Sequence, residues 1–398
     1  MLDDYLEFEA DAVVPFFQPV VSLQTRCIVG YESLGRVERN GTFDSLGRFF
    51  GSPMVTPEDQ RRVDRRLREM AFARFATHTE PDLLFLNVRP SWMYRYWKKH
   101  NSLRTIEMIE DHRIDPGRIV VEIAGDFHQK DATELAGIVD RYRQSGCQIA
   151  MDDVGSSFAH LDWIATFHPN FIKVNLRSFA GMIGRNESDA LLRGFALFAE
   201  QVGASLVVEG IESEEELRYC LKLGAHLVQG FFFSEPRQDL LPPDAYESRL
   251  DRLIAEQREK TIAAYEGLFS SIERMRNHFP AASTLEAEGG TDAFLKRAVV
   301  NAPEACIRAY VCDRNGTQLS ANWTRAANGA WERDPSYRGS NWSWRPYSLS
   351  NTVMMTFERR GTLSAPYKDL ETNQTVQTYS YPLADDSFVF LDFIDPTA

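Results

Sequence analysis

Eight short runs of strand-forming residues, all before residue 235, set the strongest limit on what this chain can fold into. Most are continuous apolar runs, as strands covered on both faces should be. A tight turn at Thr25–Arg26 joins the first two runs, which predicts an antiparallel hairpin, and segments with helical periodicity separate the later ones. The pattern predicts an α/β fold, a TIM-type (β/α)₈ barrel modified at its first strand. The runs are Val13–Leu23, Cys27–Val37, Leu83–Val88, Ile119–Ala124, Gln148–Val154, Phe171–Leu176, Ser205–Ile211 and Leu227–Phe233.

The rest of the chain divides into a long helix and a smaller domain. Pro242–Pro243 are typical of a helix start, and apolar residues at helical spacing continue from Tyr246 to Phe279. This helix could pack on the barrel, or it could act as a connecting rod or a dimer contact. After it, short strands, turn signals and many aromatic residues predict an α+β domain. The expected domains are a barrel over 1–240, a linker helix over 241–285 and a second domain over 286–398.

Composition narrows the class of protein. At 398 residues the chain is long enough for two domains, and its net charge of −13 argues against a nucleic-acid-binding surface, which needs a basic face. The first residues lack the basic-then-apolar pattern of a signal peptide, and no stretch approaches the roughly 20 apolar residues of a membrane span. Five scattered cysteines, none in a CxxC pair, predict free thiols in a reducing compartment. We therefore expect a cytoplasmic protein without a membrane span.

Acidic residues, an amide and one lysine recur at the ends of the predicted strands. In an eight-stranded barrel these ends converge on one rim, where several carboxylates would repel each other unless cations held them. The possible ligands are hard oxygens, without histidine or cysteine, which favours a two-ion site for Mg²⁺ or Mn²⁺. The residues are Glu32, Asn87, Glu122, Asp152, Asp153, Lys173 and Glu209.

The adjacent carboxylates Asp152 and Asp153 suggest the chemistry most directly. Each could face a different ion, or one could bridge two, and a two-ion site suits an in-line phosphoryl displacement. Lys173 could hold the attacking water or neutralise a phosphate oxygen, and Arg36 offers a bidentate phosphate contact. The alternative for each residue alone is structural. A single acid at a strand end is usually a solvated rim group, and a pair of aspartates before Gly155 is often a turn.

Ordered segments around these residues resemble the EAL-domain family of cyclic di-GMP phosphodiesterases. The resemblance covers residues 13–236. The segments are FFQPVV (Phe16–Val21), YESLGR (Tyr31–Arg36), FLNV (Phe85–Val88), VVEIAG (Val120–Gly125), AMDDVGSSFAHL (Ala150–Leu161), FIKVN (Phe171–Asn175), VVEGIES (Val207–Ser213) and VQGFFFSEP (Val228–Pro236).

This resemblance implies a barrel with an antiparallel first strand, two Mg²⁺ or Mn²⁺ ions, and hydrolysis of cyclic di-GMP to linear pGpG. It implies catalytic roles for Glu32, Asp152 and Lys173, with Lys173 orienting the water. By position in the motifs, the metal ligands would be Glu32, Asn87, Glu122, Asp152, Asp153 and Glu209. Substrate contacts, or support for the site, would come from Gln18, Leu34, Arg36, Glu212 and Gln229.

One departure from the family pattern bears on activity. Ala124 and Gly125 stand where the family has a threonine and a glutamate that anchor the loop after the two aspartates. Asp126 could substitute, displaced by one residue. A weakened anchor predicts slow turnover. It also keeps open an alternative function, a cyclic di-GMP receptor that binds the dinucleotide with little or no hydrolysis.

The C-terminal part is similar to PAS-like or Cache-like sensory domains, above all at Asn341–Tyr347 and Leu363–Leu383. Together with the barrel it resembles the YkuI-type EAL proteins of Gram-positive bacteria, which implies regulation by this domain. We also expect a homodimer, for which the long helix offers a contact. Arg345, Tyr347 and Asp369 are candidates for a pocket that binds an unknown small ligand. Alternatively, Trp342, Trp344 and Tyr347 are core aromatics and Arg345 forms a structural ion pair.

Overall fold

The computed structural model describes residues 12–397, apart from residues 79, 81, 125–131, 156–160, 180–185, 278, 280–288, 346 and 384–385. The chain divides into two compact units, Met1–Gln257 and Arg258–Ala398. The described helices include none that combines the length and the hydropathy needed to span a membrane. All five cysteines are free, as predicted.

Strands and helices alternate over most of the first unit. Its strands are β1 (Val13–Ser22), β2 (Ile28–Arg39), β3 (Thr42–Ser45), β4 (Leu83–Asn87), β5 (Ile119–Ile123), β6 (Gln148–Met151), β7 (Phe171–Asn175), β8 (Ser205–Glu209) and β9 (Leu227–Val228). Helices α1 to α5 are Gly47–Gly51, Pro57–Ala76, Pro90–His100, Arg104–Asp111 and Ala132–Gln144. Helices α6 to α9 are Leu161–Phe167, Asn186–Val202, Glu214–Leu223 and Glu247–Arg276, and α9 continues into the second unit.

Capping side chains fix where two of these helices begin. Thr56 accepts a hydrogen bond from the backbone N–H of Asp59 at the start of α2, and Pro57 occupies the first helical position. Ser213 does the same for the N–H of Glu216 at the start of α8, which ends at Gly224 in the left-handed conformation (φ 85°). Helix α8 is therefore capped at both ends.

Eight strands of the first unit close into a barrel. β1 is antiparallel to β2 on one side and to β9 on the other, and the neighbours from β2–β4 to β8–β9 are parallel. The barrel with an antiparallel first strand is thus confirmed. β3, which the sequence analysis missed, pairs with the far end of β2 outside the closed ring.

The inside of the barrel is filled by one layer of apolar side chains. Gly30 leaves room for this layer on β2, because a Cβ there would lie 2.9 Å from the Phe85 ring and 2.6 Å from the Leu83 carbonyl oxygen. A second, larger apolar layer joins the strands to the surrounding helices. The inner layer consists of Val20, Phe85, Val120, Ala150, Phe171, Val207 and Leu227.

The predicted end of the last barrel strand is wrong. The apolar run predicts a strand through Phe233, yet β9 ends at Val228. The chain turns there because Gly230 packs directly on the loop that follows β8. An added Cβ at Gly230 would lie 2.0 Å from the carbonyl oxygen of Ile211 in that loop. Apolar character continues past the turn without strand pairing, and the Phe231 side chain is 57% exposed.

The predicted start of the long helix is also wrong. Helix α9 begins at Glu247 rather than at Pro242–Pro243. The carbonyl of Pro243 accepts a hydrogen bond from the backbone N–H of Ile28 (2.8 Å), so the proline pair lies in a turn beside β2. Leu250 and Leu253 of α9 are buried in the core of the first unit.

The second unit is a smaller α+β structure around an antiparallel sheet, as predicted. The strand order is β12–β11–β10–β16–β15–β13, and β14 also pairs with β15. Its core includes residues from the C-terminal half of α9, such as Leu268 and Met275. The strands are β10 (Cys306–Asp313), β11 (Asn322–Arg325), β12 (Trp331–Asp334), β13 (Thr362–Leu363), β14 (Tyr367–Lys368), β15 (Thr375–Pro382) and β16 (Ser387–Ile394), and the helices are α10 (Thr291–Ala298) and α11 (Ser348–Glu358).

Candidate active site

On seven barrel strands a polar residue follows, at a spacing of two, the residue that borders the inside of the barrel. Side chains alternate along a strand, so residues two apart point to the same side. Seven parallel strands therefore carry their polar residues to one level at the carboxyl rim, and Gln18 joins them from the antiparallel β1, two residues before Val20. The pairs are Gly30 and Glu32, Phe85 and Asn87, Val120 and Glu122, Ala150 and Asp152, Phe171 and Lys173, Val207 and Glu209, and Leu227 and Gln229.

Three of these residues do not end their strands, which corrects the sequence prediction. Lys173 is the middle residue of β7, Glu122 is followed by Ile123 in β5, and Glu32 lies within β2, which continues to Arg39 to pair with β3. Parallel pairing of β2 with β4 stops at Glu32, opposite Phe85, and the side chain of Lys173 brings its Nζ to the carboxylates of Glu32, Glu122 and Glu209.

Lys173 stands at the centre of the site. Its side chain is 1% exposed, and its Nζ lies 3.0 Å from Glu32 Oε2 and 2.5 Å from Glu209 Oε1 and also contacts Glu122 Oε1. Below it, the Phe85 ring of the inner layer is 5.9 Å away. One ammonium thus holds together carboxylates from three different strands.

Amide side chains orient Glu32 from both sides. Asn87 Nδ2 donates to Oε1 (2.8 Å) and Gln229 Nε2 donates to Oε2 (2.8 Å). Gln229 Nε2 also lies 3.1 Å from Gln18 Oε1, and Gln18 Nε2 donates to the Ser234 carbonyl (3.1 Å). The two predicted substrate-contacting glutamines therefore support the predicted ligand Glu32.

The two adjacent aspartates follow β6 in a constrained turn. Asp153 has a left-handed backbone (φ 55°), and its N–H donates to Asp152 Oδ1 (2.7 Å). The N–H of Asp152 donates to the Ile123 carbonyl and that of Val154 to the Lys173 carbonyl, both at 3.0 Å. Asp152 is thereby fixed beside β5 and β7, whereas Asp153 is exposed.

Burial shifts the pKa of each carboxyl in the cluster. It raises the pKa of Glu122 well above the usual range, with Glu32 adding to the effect, and it raises that of Glu209 to about 8 and that of Asp152 as well. Burial acts the same way on Glu32, but the charge of Lys173 and the Gln229 hydrogen bond outweigh it and lower its pKa. Burial opposes the charge of Lys173, yet Glu122, Glu209 and Glu32 together raise its pKa well above normal. The site has more carboxylates than one ammonium can balance.

The residues present fit hard divalent cations. Glu122 Oε2 is buried and accepts no hydrogen bond from the described residues. No three His, Cys, Asp or Glu side chains in the described ranges surround a common point as metal ligands. Lys173 instead draws Glu32, Glu122 and Glu209 around its own nitrogen. Carboxylate and amide oxygens suit Mg²⁺, Mn²⁺ or Ca²⁺ better than zinc, and such ions would compete with the ammonium for the same oxygens.

Leu34 and Arg36 lie beside the cluster, on the wall of a cavity of about 340 Å³ that Asn87 also lines. Arg36 packs over the Phe16 ring (5.8 Å) and is half-buried. Glu212 is exposed and its carboxylate lies 3.9 Å from Arg177, so the structure brings it near the rim loop but not into the cluster.

Sequence reasoning missed further residues on that cavity wall. Arg89 lies 4.9 Å above the Trp92 ring and donates to Gln60 Oε1 (3.1 Å), and Phe50 lies next to Trp92 (6.4 Å between centroids). The signal was available, because Arg89 and Trp92 follow Asn87 within five residues. Gly125 and Asp126, which carry the departure from the family pattern, lie outside the described residues; Ala124 lines the cavity.

The alternative of core aromatics around an ion-paired Arg345 is wrong for Trp344 and Arg345, whereas Trp342 packs against a core cluster of the second unit as that alternative expects. Trp344 is 62% exposed, and Arg345 has no ion pair with any residue that the structure describes. Its guanidinium lies over the rings of Trp344 (4.6 Å), Tyr367 (5.5 Å) and Trp342 (5.7 Å). Arg345, Tyr347 and Asp369 line one cavity, as the sequence suggests.

Two families match this chain, and together they account for most of it. The EAL domain matches residues 3–236, and the EAL-domain associated signalling protein domain matches residues 239–395. The boundary between these matches falls between β9 and α9.

The chain is similar over its whole length to the uncharacterized EAL-domain containing protein YkuI of Bacillus subtilis. The two are 30% identical over 388 residues, which are 96% of this chain and 94% of YkuI. The crystal structure of YkuI in complex with substrate c-di-GMP and calcium matches this chain with a TM-score of 0.84 at 29% identity, over 97% of each chain. The cyclic di-GMP phosphodiesterase RocR of Pseudomonas aeruginosa is 28% identical over 238 residues, which are 58% of this chain and 57% of RocR.

Proposed function

This chain belongs to the EAL-domain family, and from that premise we propose that it is a metal-dependent phosphodiesterase that hydrolyses cyclic di-GMP to linear pGpG. The observation that carries the proposal is the ring of polar side chains around Lys173, to which the barrel strands contribute at one level. The similarity to RocR, a phosphodiesterase for this dinucleotide, supports the choice of substrate.

The proposed metal ligands are the acids and the amide of the rim. They are Glu32, Asn87, Glu122, Asp152, Asp153 and Glu209. Bound Mg²⁺ or Mn²⁺ ions would supply Lewis acidity at the phosphodiester and lower the pKa of the attacking water. Glu122 Oε2, buried without a hydrogen-bond donor among the described residues, is an acceptor that such an ion would satisfy.

The proposed role of Lys173 follows from its charge and position. Burial opposes its charge, but Glu122, Glu209 and Glu32 outweigh burial and raise the pKa of Lys173, so its ammonium can donate hydrogen bonds. An ammonium fixed by β7 at the centre of the rim can orient a water or neutralise a phosphate oxygen. During the reaction, Gln229 and Asn87 would keep Glu32 in position through the hydrogen bonds that the structure shows.

Substrate contacts are proposed on the side of the rim where the cavity opens. Leu34 and Arg36 line that cavity, and the Arg36 guanidinium can pair with a phosphate in a bidentate manner. Gln18 and Gln229 lie on the other side of Glu32 from Asn87. Glu212 is proposed to support the loop after β8, since its backbone N–H donates to Glu216 Oε2 (2.7 Å).

Product analysis tests the proposal. Purified protein would be incubated with cyclic di-GMP in Mn²⁺, in Mg²⁺ and in EDTA, and the nucleotides separated by anion-exchange chromatography. We expect pGpG in the presence of either ion and none in EDTA. Hydrolysis that continues in metal-free protein would contradict the two-ion proposal.

A receptor without turnover is the second candidate function. It is favoured by Ala124 and Gly125, which replace the residues that anchor the loop after Asp153 in the family. The same incubations separate the two: binding of cyclic di-GMP without pGpG in Mn²⁺ would establish the receptor. The capacity of YkuI to bind the dinucleotide with calcium is compatible with both functions.

We further propose that the second unit regulates the barrel, because every rim residue comes from the first unit. A chain ending after Gln257 should still bind cyclic di-GMP and should hydrolyse it at a changed rate. An unchanged rate would contradict regulation, and a folded fragment without binding would contradict the division of roles. The PAS-like or Cache-like assignment, the cytoplasmic location and the homodimer stay predictions; sedimentation equilibrium would test the last.

A further inference from the structure

The second unit contains two adjoining cavities, a narrow part of about 110 Å³ and a wider part of about 610 Å³, which share the side chains of Arg345, Tyr347 and Tyr367. Aromatic rings line much of the narrow part, whereas the wider part is lined mainly by small and polar residues. The rings of Tyr347 and Tyr367 stack 5.2 Å apart, and Trp342 forms another wall of the narrow part. Flat walls of this kind suit a ligand with a planar or compact apolar body.

The acidic residues of the cavity are already paired with one arginine. Arg308 donates from Nη1 to Asp369 Oδ1 (2.9 Å) and Asp392 Oδ2 (3.1 Å), and from Nη2 to Asp369 Oδ2 (3.0 Å) and Glu371 Oε2 (2.8 Å). Asp392 also accepts from the Thr378 hydroxyl (2.8 Å). Most oxygens of these carboxylates already accept hydrogen bonds from the protein, so few remain to accept one from a ligand.

Arg345 is the cation of the cavity that lacks a counter-ion among the described residues. It is half-buried, and its guanidinium is held over the rings of Trp342, Trp344 and Tyr367. The 11-residue helix α11 begins three residues later at Ser348, and a helix start adds positive partial charge. A guanidinium stacked on rings keeps its N–H edge available for an oxyanion.

Two donors in the wall also lack a hydrogen-bond partner among the described residues. Tyr310 and Asn322 are 6% and 3% exposed and both line the narrow part. Neither the Tyr310 hydroxyl nor the Asn322 amide nitrogen makes a hydrogen bond with the described residues; the Asn322 oxygen accepts one from Gln318 (2.9 Å). Both groups are therefore free to donate to a ligand oxygen in the narrow part.

We propose that this cavity binds a small organic monocarboxylate, with its carboxylate on Arg345 and its apolar body between the aromatic walls. A cationic ligand fits worse, because Arg345 occupies the ring faces and Arg308 already pairs with the acids. An anion of higher charge fits worse too, because Asp369, Glu371 and Asp392 outnumber the two arginines of the cavity. This site is separate from the barrel rim, and its existence does not depend on hydrolysis there.

The test measures binding of benzoate, acetate and butyrate to the full chain by isothermal titration calorimetry. Neutral benzamide and cationic benzylamine serve as shape-matched controls. We expect saturable binding of at least one carboxylate, benzoate above all, and none of benzamide or benzylamine. Arg345→Gln should weaken carboxylate binding at least about tenfold, since a charge-assisted hydrogen bond is lost. Arg314→Gln makes the same charge change at an exposed position outside the cavity and should bind like wild type.

Tyr310→Phe keeps the test decisive if Arg345→Gln unfolds. It removes a hydroxyl without a described partner, so the melting temperature should stay close to wild type while carboxylate affinity falls several-fold. The proposal is overturned if none of the three carboxylates binds, if benzylamine binds in their place, or if a folded Arg345→Gln binds benzoate as tightly as Arg314→Gln does.

Discussion

Replacing Lys173 by methionine should destabilise the first unit strongly when divalent cations are absent. The ammonium is buried among Glu32, Glu122 and Glu209, and methionine fills a similar volume without the charge. The carboxylates would then face one another in a site that excludes water. Some would take up protons, but only at a cost in free energy at neutral pH.

The size of the effect follows from burial. Breaking a buried ion pair by removing one partner costs about 3–5 kcal/mol. In a unit of this length each kcal/mol lowers the melting temperature by about 2–4 °C, so a drop on the order of 6–20 °C is expected. Lys98→Met is the matched control: Lys98 lies 2.9 Å from Glu134, but both side chains are about half exposed, so its loss should change the melting temperature little.

Differential scanning calorimetry in EDTA and in Mn²⁺ measures both variants. Because the cation would take the place of the ammonium, Mn²⁺ should raise the melting temperature of Lys173→Met more than that of wild type. If Lys173→Met and Lys98→Met have the same melting temperature in EDTA, the ammonium does not hold the carboxylates together. If Mn²⁺ stabilises both proteins equally, cation and ammonium do not compete for the same oxygens.

Three further predictions concern the ion, the loop and the second unit. Ca²⁺ should support binding of cyclic di-GMP but not its hydrolysis, because its longer bonds and higher coordination number misplace the water; pGpG formed in Ca²⁺ would contradict this. Ala124→Thr with Gly125→Glu should raise kcat in Mn²⁺ and leave the Kd for cyclic di-GMP in Ca²⁺ nearly unchanged; equal or lower single-turnover rates would mean that the loop is held otherwise. Burial opposes the charge of Asp369, but Arg308 outweighs it and lowers its pKa to about 2. About 2 kcal/mol of stability should therefore be present above pH 4 and lost as the pH falls from about 4 to 2; thermal melts should show less acid sensitivity in Asp369→Asn but not in the exposed Asp386→Asn.

The barrel and its site could be predicted because both follow from local periodicity. Continuous apolar runs report strands buried on both faces, and a polar residue two positions past an inner-layer residue faces the same side as that residue. Glu122 after Val120 and Glu209 after Val207 could therefore be assigned to one rim before any contact was known. Parallel pairing then brings them together whatever their separation in sequence.

The features that escaped prediction depend on contacts between distant segments. β9 stops early because Gly230 packs on Ile211, and the long helix starts late because Pro243 bonds to Ile28; neither contact leaves a local signal. β3 lacks apolar alternation because it pairs outside the barrel. Arg345 likewise has no counter-ion among the described residues because Arg308 pairs with the nearby carboxylates of Asp369 and Asp392. The sequence does not show this pairing.

The formation of pGpG by two glutamine variants of one strand tests the central claim most directly. Glu32 lies in the rim cluster and Glu38 is exposed six residues later on β2, so the same chemical change is made inside and outside the site. In Mn²⁺, Glu38→Gln should hydrolyse cyclic di-GMP like wild type. Glu32→Gln should be slower by a factor on the order of a hundred or more, with a melting temperature showing that it is folded. A folded Glu32→Gln that forms pGpG at the wild-type rate would show that the barrel rim is not the catalytic site.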